Sequence, residues 1–186
     1  MGQPLLIAGL ALAALVLLWA ALTYNRLVRL RFQAEGAWSD IDVQLKKRHD
    51  LVPNLVETVK GYAAHERQTL DLVVAARSRA LAVSSPADRA QAESALTDAL
   101  RRLLVVVEAY PDLKANASFL DLQAQLSRVE NDLAAARRYY NAVVRDYNTK
   151  IESVPSNLIA RLFDFAGRDF FQADEADRAA VAVKLG

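Results

Sequence analysis

Eighteen consecutive apolar residues, Leu5 to Leu22, open the chain, and its first charged side chain is Arg26. A stretch of that length has few possible fates. A bilayer core about 30 Å thick takes roughly 20 helical residues, with about 17 as the lower end, and Pro4 and Thr23 extend the run to that length. A cleaved signal peptide would need a positively charged start, an apolar stretch of roughly 7–15 residues and a small-residue cleavage site. Here the start is Gly2-Gln3-Pro4, the run is longer, and Leu22-Thr23-Tyr24 is a poor cleavage site. A retained transmembrane helix over residues 5–23, in contact with membrane lipid, is therefore expected. Trp19 and Tyr24 stand where interfacial aromatic residues are found. Arg26, Arg29 and Arg31 follow the span and no charged side chain precedes it, which places the rest of the chain in the cytoplasm.

Composition narrows what that remainder can be. Of 186 residues only 6 are Gly and 5 are Pro, a scarcity of punctuation that favours long helices over many short strands. With no Cys there are no disulfides, thiolate metal sites or Cys nucleophile. Lys and Arg number 23 against 22 Asp and Glu, so the chain lacks the basic excess of nucleic-acid binders, and no nucleic-acid partner is expected.

Beyond Tyr24 the apolar pattern is helical. Leu27, Leu30, Ala34, Ala37, Ile41 and Leu45 step by threes and fours, and Val52, Leu55, Val59 and Tyr62 carry the stripe on, with Arg48 between Leu45 and Val52. This predicts a long amphipathic helix running to about Ala82. Pro53 lies inside it and should kink or break it. Ser85-Pro86 is a stop and restart, with Ser85 placed to cap, Pro86 at the first helical position and Asp88 three residues past the cap. The next helix, about Pro86 to Ala109, carries Ala92, Leu96, Ala99, Leu103, Val106 and Tyr110, and Pro111 ends it. Another starts at Asn116 or Ser118, with Ser118 and Asp121 at capping-box spacing. Its stripe from Phe119 through Leu126, Leu133, Tyr140 and Tyr147 to Ile151 alternates threes and fours almost without fault. Pro155 breaks it, and a short helix is expected from Ser156 to about Phe163. The predicted fold is all-α, an N-terminal transmembrane helix followed by a long-helix antiparallel three- or four-helix bundle. The domains are an anchor over 1–25, a bundle over 26–163 and an aromatic and acidic tail over 164–186.

Catalytic chemistry is hard to find. His49 and His65 are the only histidines, about 24 Å apart if they share one helix, and both read as solvated surface residues. His65-Glu66 starts like a zinc-protease signature, but Thr69 stands where the second His belongs. No Glu-x-x-His, phosphate loop or EF-hand loop occurs, and Asp40 and Asp42 point to different helix faces. No catalytic, cofactor-binding or metal-ligating residue is assigned. Arg48 and Glu66 at seam positions, and Asn131, Asn141 and Asn148 beside the seam, read as register-setting or rim groups rather than a site. Lys46-Lys47-Arg48-His49, surrounded by Asp40, Asp42 and Asp50, reads as a solvated face.

The residues also carry a signature. Tyr24-Asn25-Arg26-Leu27-Val28-Arg29-Leu30-Arg31 is followed by Ala37-Trp38-Ser39-Asp40-Ile41-Asp42-Val43-Gln44-Leu45 and by Arg48-His49-Asp50-Leu51-Val52-Pro53-Asn54-Leu55-Val56-Glu57-Thr58-Val59-Lys60-Gly61-Tyr62. Further along come Glu108-Ala109-Tyr110-Pro111-Asp112-Leu113-Lys114-Ala115-Asn116, Glu130-Asn131, Tyr140-Asn141, Tyr147-Asn148, Val154-Pro155-Ser156-Asn157 and Phe163-Asp164-Phe165. In order and spacing, from about residue 24 to 171, the chain resembles the LemA family of bacterial membrane-anchored helical proteins. Phe32 departs from the family pattern, which usually has Asn there. The resemblance implies an N-terminal anchor, a helical bundle and a place in the bacterial inner membrane. It brings no reaction and no cofactor. Relatives include a magnetosome-membrane protein, and family members often accompany membrane metalloproteases, which makes such a protease a partner suggested by family association alone. The expected function is a membrane-anchored, non-enzymatic scaffold or adaptor that acts through helix-face contacts and self-association as a homo-oligomer. The rivals are a carboxylate-based metal-binding or enzymatic bundle and a lipid-remodelling membrane protein.

The tail is the least bundle-like part. Four of six phenylalanines, Phe163, Phe165, Phe170 and Phe171, fall within nine residues, followed by Asp174-Glu175-Ala176-Asp177 and the strand-like Val181-Ala182-Val183-Lys184-Leu185. So much aromatic surface calls for a contact. The rings are expected to pack back on their own bundle, the alternative being docking on a neighbouring subunit or partner.

Overall fold

A computed structural model describes residues 2–83 and 85–171. The described residues are helical with no strands, in six elements. These are α1 (Gly2–Tyr62), α2 (Arg67–Ala82), α3 (Pro86–Val107), α4 (Pro111–Lys114), α5 (Ala117–Glu152) and α6 (Ser156–Leu162). Residues 174–177 and 181–185, singled out in the sequence for their acidity and strand-like alternation, lie outside the described residues.

Helix α1 is 61 residues long and unbroken from the apolar run into the amphipathic stretch. Its first part is long and apolar enough to cross a membrane, and the large side chains there, Leu6, Leu10 and Leu17 among them, are exposed. Of the two expected effects of Pro53, a kink or a break, the break does not occur. The helix passes through it and ends nine residues later, while the separate α2 begins at Arg67 rather than continuing α1 to Ala82. No proline marks this break. A short turn replaces helix there, with Glu66 N–H donating to Ala63 O (3.0 Å) and Leu70 N–H to Glu66 O (3.1 Å). Ala63 is buried where the stripe had pointed to Tyr62, whose ring is half exposed.

Local capping signals act as expected at α3. Asp88 N–H donates to Ser85 Oγ at 3.1 Å, and proline occupies the first turn. The helix ends at Val107, two residues short of the predicted Ala109, and α4 fills the stretch after Pro111. Asn116 rather than Ser118 caps α5, its Oδ1 accepting from Phe119 N–H at 3.0 Å.

The described residues divide into two compact units, one from 2–39 with 139–169 and the other from 40–83 and 85–138 with 170–171. In the first, Leu27 and Leu30 of α1, Tyr147 of α5, Ile159 and Ala160 of α6, and Phe165 form the core. Trp38 and Tyr140 meet edge to face with centroids 5.3 Å apart. The segment after α6 is tied down at three points. Asn148 forms a two-pronged amide pair with the backbone of Arg168 (both 2.9 Å), Tyr140 Oη donates to Asp169 O (2.9 Å), and Arg168 pairs with Glu35 (2.6 Å).

In the second unit, one apolar cluster takes Val52, Leu55 and Val59 from α1, Leu70, Val73 and Ala80 from α2, Leu96, Leu100 and Leu103 from α3, Leu113 from α4, and Phe119 and Leu126 from α5. Helices α2 and α3 pack along each other. Phe171 lies under the Arg137 guanidinium at 4.7 Å. Phe165 and Phe171 are thus buried against their own chain, as expected for the tail, while Phe163 and Phe170 stay about half exposed.

Candidate functional site

The second unit holds a buried charge cluster where the sequence reading had placed solvated residues. Arg48, at the seam position between Leu45 and Val52, is fully buried, and so is Glu93 of α3. Arg48 Nη1 donates to Glu93 Oε2 at 3.0 Å and to the Glu93 carbonyl at 3.3 Å, and Nη2 donates to Thr97 Oγ1 at 2.7 Å. Its Nε lies 2.8 Å from Glu130 Oε1 of α5, close enough for an ion pair, although the N–H direction misses a linear hydrogen bond. His49, also buried, sets Nε2 2.8 Å from the other Glu93 oxygen. Thr97 Oγ1 in turn donates to Glu93 O at 3.0 Å.

The Lys46–His49 run therefore splits by helical phase and is not one solvated face. Lys46 and Lys47 are exposed, and Lys46 bonds Asp50 at 2.8 Å, which holds that carboxyl below the usual carboxylate range. Arg48 and His49 turn inward. Reading both histidines as surface residues holds for His65, which is exposed, and fails for His49, because Glu93 supplies a buried carboxylate to meet it.

Glu93 falls outside the α3 stripe of Ala92, Leu96, Ala99, Leu103, Val106 and Tyr110. Buried positions Glu93, Leu96, Leu100, Leu103 and Val107 also step 3, 4, 3, 4. The signal was there: an acidic residue in phase with a buried leucine row, and an arginine in phase with another. Buried charges are found paired.

Other polar residues mentioned above have local duties. Tyr110 Oη donates to Glu66 Oε1 at 3.2 Å, and burial with that bond pushes the Tyr110 hydroxyl above its usual value. Asn148 clamps residue 168, Asn141 is half-buried and Asn131 is exposed. Asp42 pairs with Arg89, while Asp40 is exposed. Asn141 and Asn148 belong to the first unit and Asn131 to the second.

A surface groove of about 400 Å³ opens over the cluster, lined by Thr97, Arg101, Ser127, Glu130 and Asn131 with Arg48 at its base. Glu130, 35% exposed, is the only acidic member of the cluster that reaches the mouth. Both Glu93 oxygens and all three Arg48 nitrogens face protein groups at hydrogen-bond or ion-pair distance, so none is presented to the groove as a base, acid or nucleophile. Among the described residues, no three His, Asp or Glu side chains converge as a metal site would require. The arrangement ties α1, α3 and α5 together at one level.

These features define an all-helical protein with a long apolar N-terminal helix and an internal ion-pair cluster. The sequence profile of the LemA family matches residues 37–185, and the chain belongs to that family. It is 28% identical to Protein LemA of Metamycoplasma hominis, over 84% of this chain and 72% of that protein. It is 24% identical to Magnetosome protein MamQ 2 of Paramagnetospirillum magneticum and 22% identical to Magnetosome protein MamQ of Magnetospirillum gryphiswaldense. Each of these alignments covers 82% of this chain and 66% of the relative. None of these names states a reaction.

Proposed function

We propose that the protein is a single-pass, membrane-anchored scaffold or adaptor without enzymatic activity. Residues 5–23 cross the bacterial inner membrane, and an antiparallel helical bundle in the cytoplasm acts through helix-face contacts and self-association. One observation carries this reading most directly. Helix α1 runs without a break from its exposed apolar part into the seam of Leu27, Leu30, Ala34, Ala37 and Ile41. A continuous helix joins anchor and packed part stiffly, whereas a flexible linker would let them move independently. The internal satisfaction of the Arg48–Glu93 cluster supports a structural rather than catalytic use for its charges. Relatives that bear the name of magnetosome proteins support a role in organising a cellular structure. Arg26, Arg29 and Arg31 after the apolar run favour the cytoplasmic orientation. A neighbouring membrane protein is the natural partner class.

The test combines topology with assembly. Intact spheroplasts are treated with protease and, separately, with a membrane-permeant cross-linker. Protection of the bundle until lysis, together with cross-linked multiples of the 20.5 kDa chain, is expected. Digestion from outside would reverse the orientation. A chain that stays monomeric at native abundance would remove self-association from the proposal.

A further inference from the structure

The corner between α5 and α6 in the first unit presents an apolar face to the surface. Val154 is 81% exposed, Leu158 62%, Leu162 72% and Phe163 52%. Leu158 and Leu162 are four apart on α6 and share one side of it, while Ile159 and Ala160 are buried in the core. The short helix is thus two-sided, one side satisfied by its own unit and the other apolar and exposed.

The height of this corner along α1 says what covers that face. The Phe163 ring sits 4.7 Å from the Tyr24 ring, and the Phe165 ring 5.7 Å from it. Ala20 packs against the cluster containing Ile159, Ala160 and Phe165, and Thr23 is only 5% exposed. The corner therefore stands level with residues 20–24, the last turn of the apolar run. Arg26, Arg29 and Arg161 are exposed in the same unit. Cationic groups just past an apolar segment suit an anionic headgroup layer, which attracts basic groups near the surface.

We infer that the α5–α6 corner is a second membrane contact. Val154, Leu158, Leu162 and Phe163 enter the interfacial layer of the bilayer beside the α1 span, and Arg26, Arg29 and Arg161 meet anionic lipid headgroups. The inference rests on residues 5–23 crossing that bilayer. A contact of this kind, flanking a single span, restrains its tilt and fixes the protein's stance on the membrane, much as interfacial anchors do elsewhere.

The chain has no Cys, so a single introduced thiol reports one position. Full-length Leu158→Cys, Leu162→Cys, Ala14→Cys and Val105→Cys variants carry an environment-sensitive fluorophore in phosphatidylcholine–phosphatidylglycerol vesicles. Each is challenged with a lipid-borne and an aqueous quencher. All four positions are exposed, so the substitutions leave the packing intact. Expected is strong lipid quenching at 14, lipid quenching at 158 and 162 several-fold above that at 105, and aqueous quenching at 105. Lipid quenching at 14 with aqueous quenching at 158 and 162 would overturn the inference and leave the span standing. Shielding of 158 and 162 from both quenchers would overturn it in favour of a second copy covering the face. Aqueous quenching at 14 would remove the span and the inference together.

Discussion

Pro53 takes one backbone donor out of α1, and the carbonyl left without its partner, four residues back, belongs to His49. Arg77 of α2 makes up the loss, its Nε donating to His49 O at 2.8 Å. A buried carbonyl left unpaired costs about 1–3 kcal/mol, so a helix that a proline would otherwise end can continue when another element supplies the donor. Arg77→Met should therefore destabilise the protein by about 1–3 kcal/mol. Adding Pro53→Ala restores an N–H to that carbonyl and should recover more stability in the Arg77→Met background than in the wild type. Urea unfolding of the four proteins in detergent gives the coupling, expected at roughly 1 kcal/mol, and strict additivity would show that the carbonyl is not shared. The same logic applies to Arg48. Arg48→Met strands Glu93 in the interior and should cost about 3–5 kcal/mol, as loss of one partner of a buried ion pair does. Glu93→Gln in that background should return part of it. If the single Arg48→Met variant unfolds at the wild-type urea concentration, the cluster contributes nothing to stability.

At the level of elements, α5 shows how a period becomes a packed surface. Of the stripe that alternates threes and fours, Phe119, Leu126, Val129, Leu133, Tyr140, Val143 and Tyr147 are buried and Leu122, Ala136 and Ile151 half-buried. Leu133 is almost fully buried and Arg128 is exposed. Leu133→Asp places an unpaired carboxylate in an apolar site at a cost of several kcal/mol, against a total stability of about 5–15 kcal/mol. It should unfold the helices, whereas Arg128→Ala should fall within about 0.5 kcal/mol of wild type. Circular dichroism melts distinguish them, and equal midpoints would mean that the buried face is misassigned. The end of α6 follows a different local rule. Asp164 has φ 51°, in the left-handed region, Phe165 N–H reaches Ala160 O at 2.9 Å, and both of the latter residues lie in the core. This is the helix stop usually given to glycine. It turns the chain so that Phe165 folds back while Phe163 stays at the surface.

For the whole molecule, the tyrosines make stability depend on alkaline pH. Burial pushes the Tyr140 and Tyr147 hydroxyls above their ordinary value, with the nearby Arg168 guanidinium opposing that rise. A folded-state value above the unfolded one near 10 means that the neutral form is favoured by folding. The stability this contributes is complete below about pH 10 and is lost as pH climbs through the folded-state values. Tyrosinate also cannot donate the bond that Tyr140 Oη makes to Asp169 O. Absorbance at the tyrosinate band and helical ellipticity, followed together above neutral pH, should show a late ionisation step that coincides with loss of helix. Tyr147→Phe should move that midpoint upward. Ionisation of every tyrosine without any loss of helix would refute the coupling.

Much of the architecture was legible in residues that act on their near neighbours. The uncharged run from Leu5 to Leu22, the stripe of α5, the Ser85 cap and the ends near Pro111 and Pro155 each depend on contacts within a turn or two, so the sequence by itself determined these features. Long-range contacts decided the rest. Pro53 is helical because Arg77, 24 positions away, reaches the freed carbonyl. Arg48 and His49 are inside because the Glu93 carboxylate, more than 40 positions away, meets both of them there. The break at residues 63–66 has no proline to announce it, and Ala63 rather than Tyr62 is buried there. For Pro53, Arg48 and His49 a partner distant in sequence decides between helix and break or between water and interior, because a buried charge or carbonyl is tolerable only where that partner meets it.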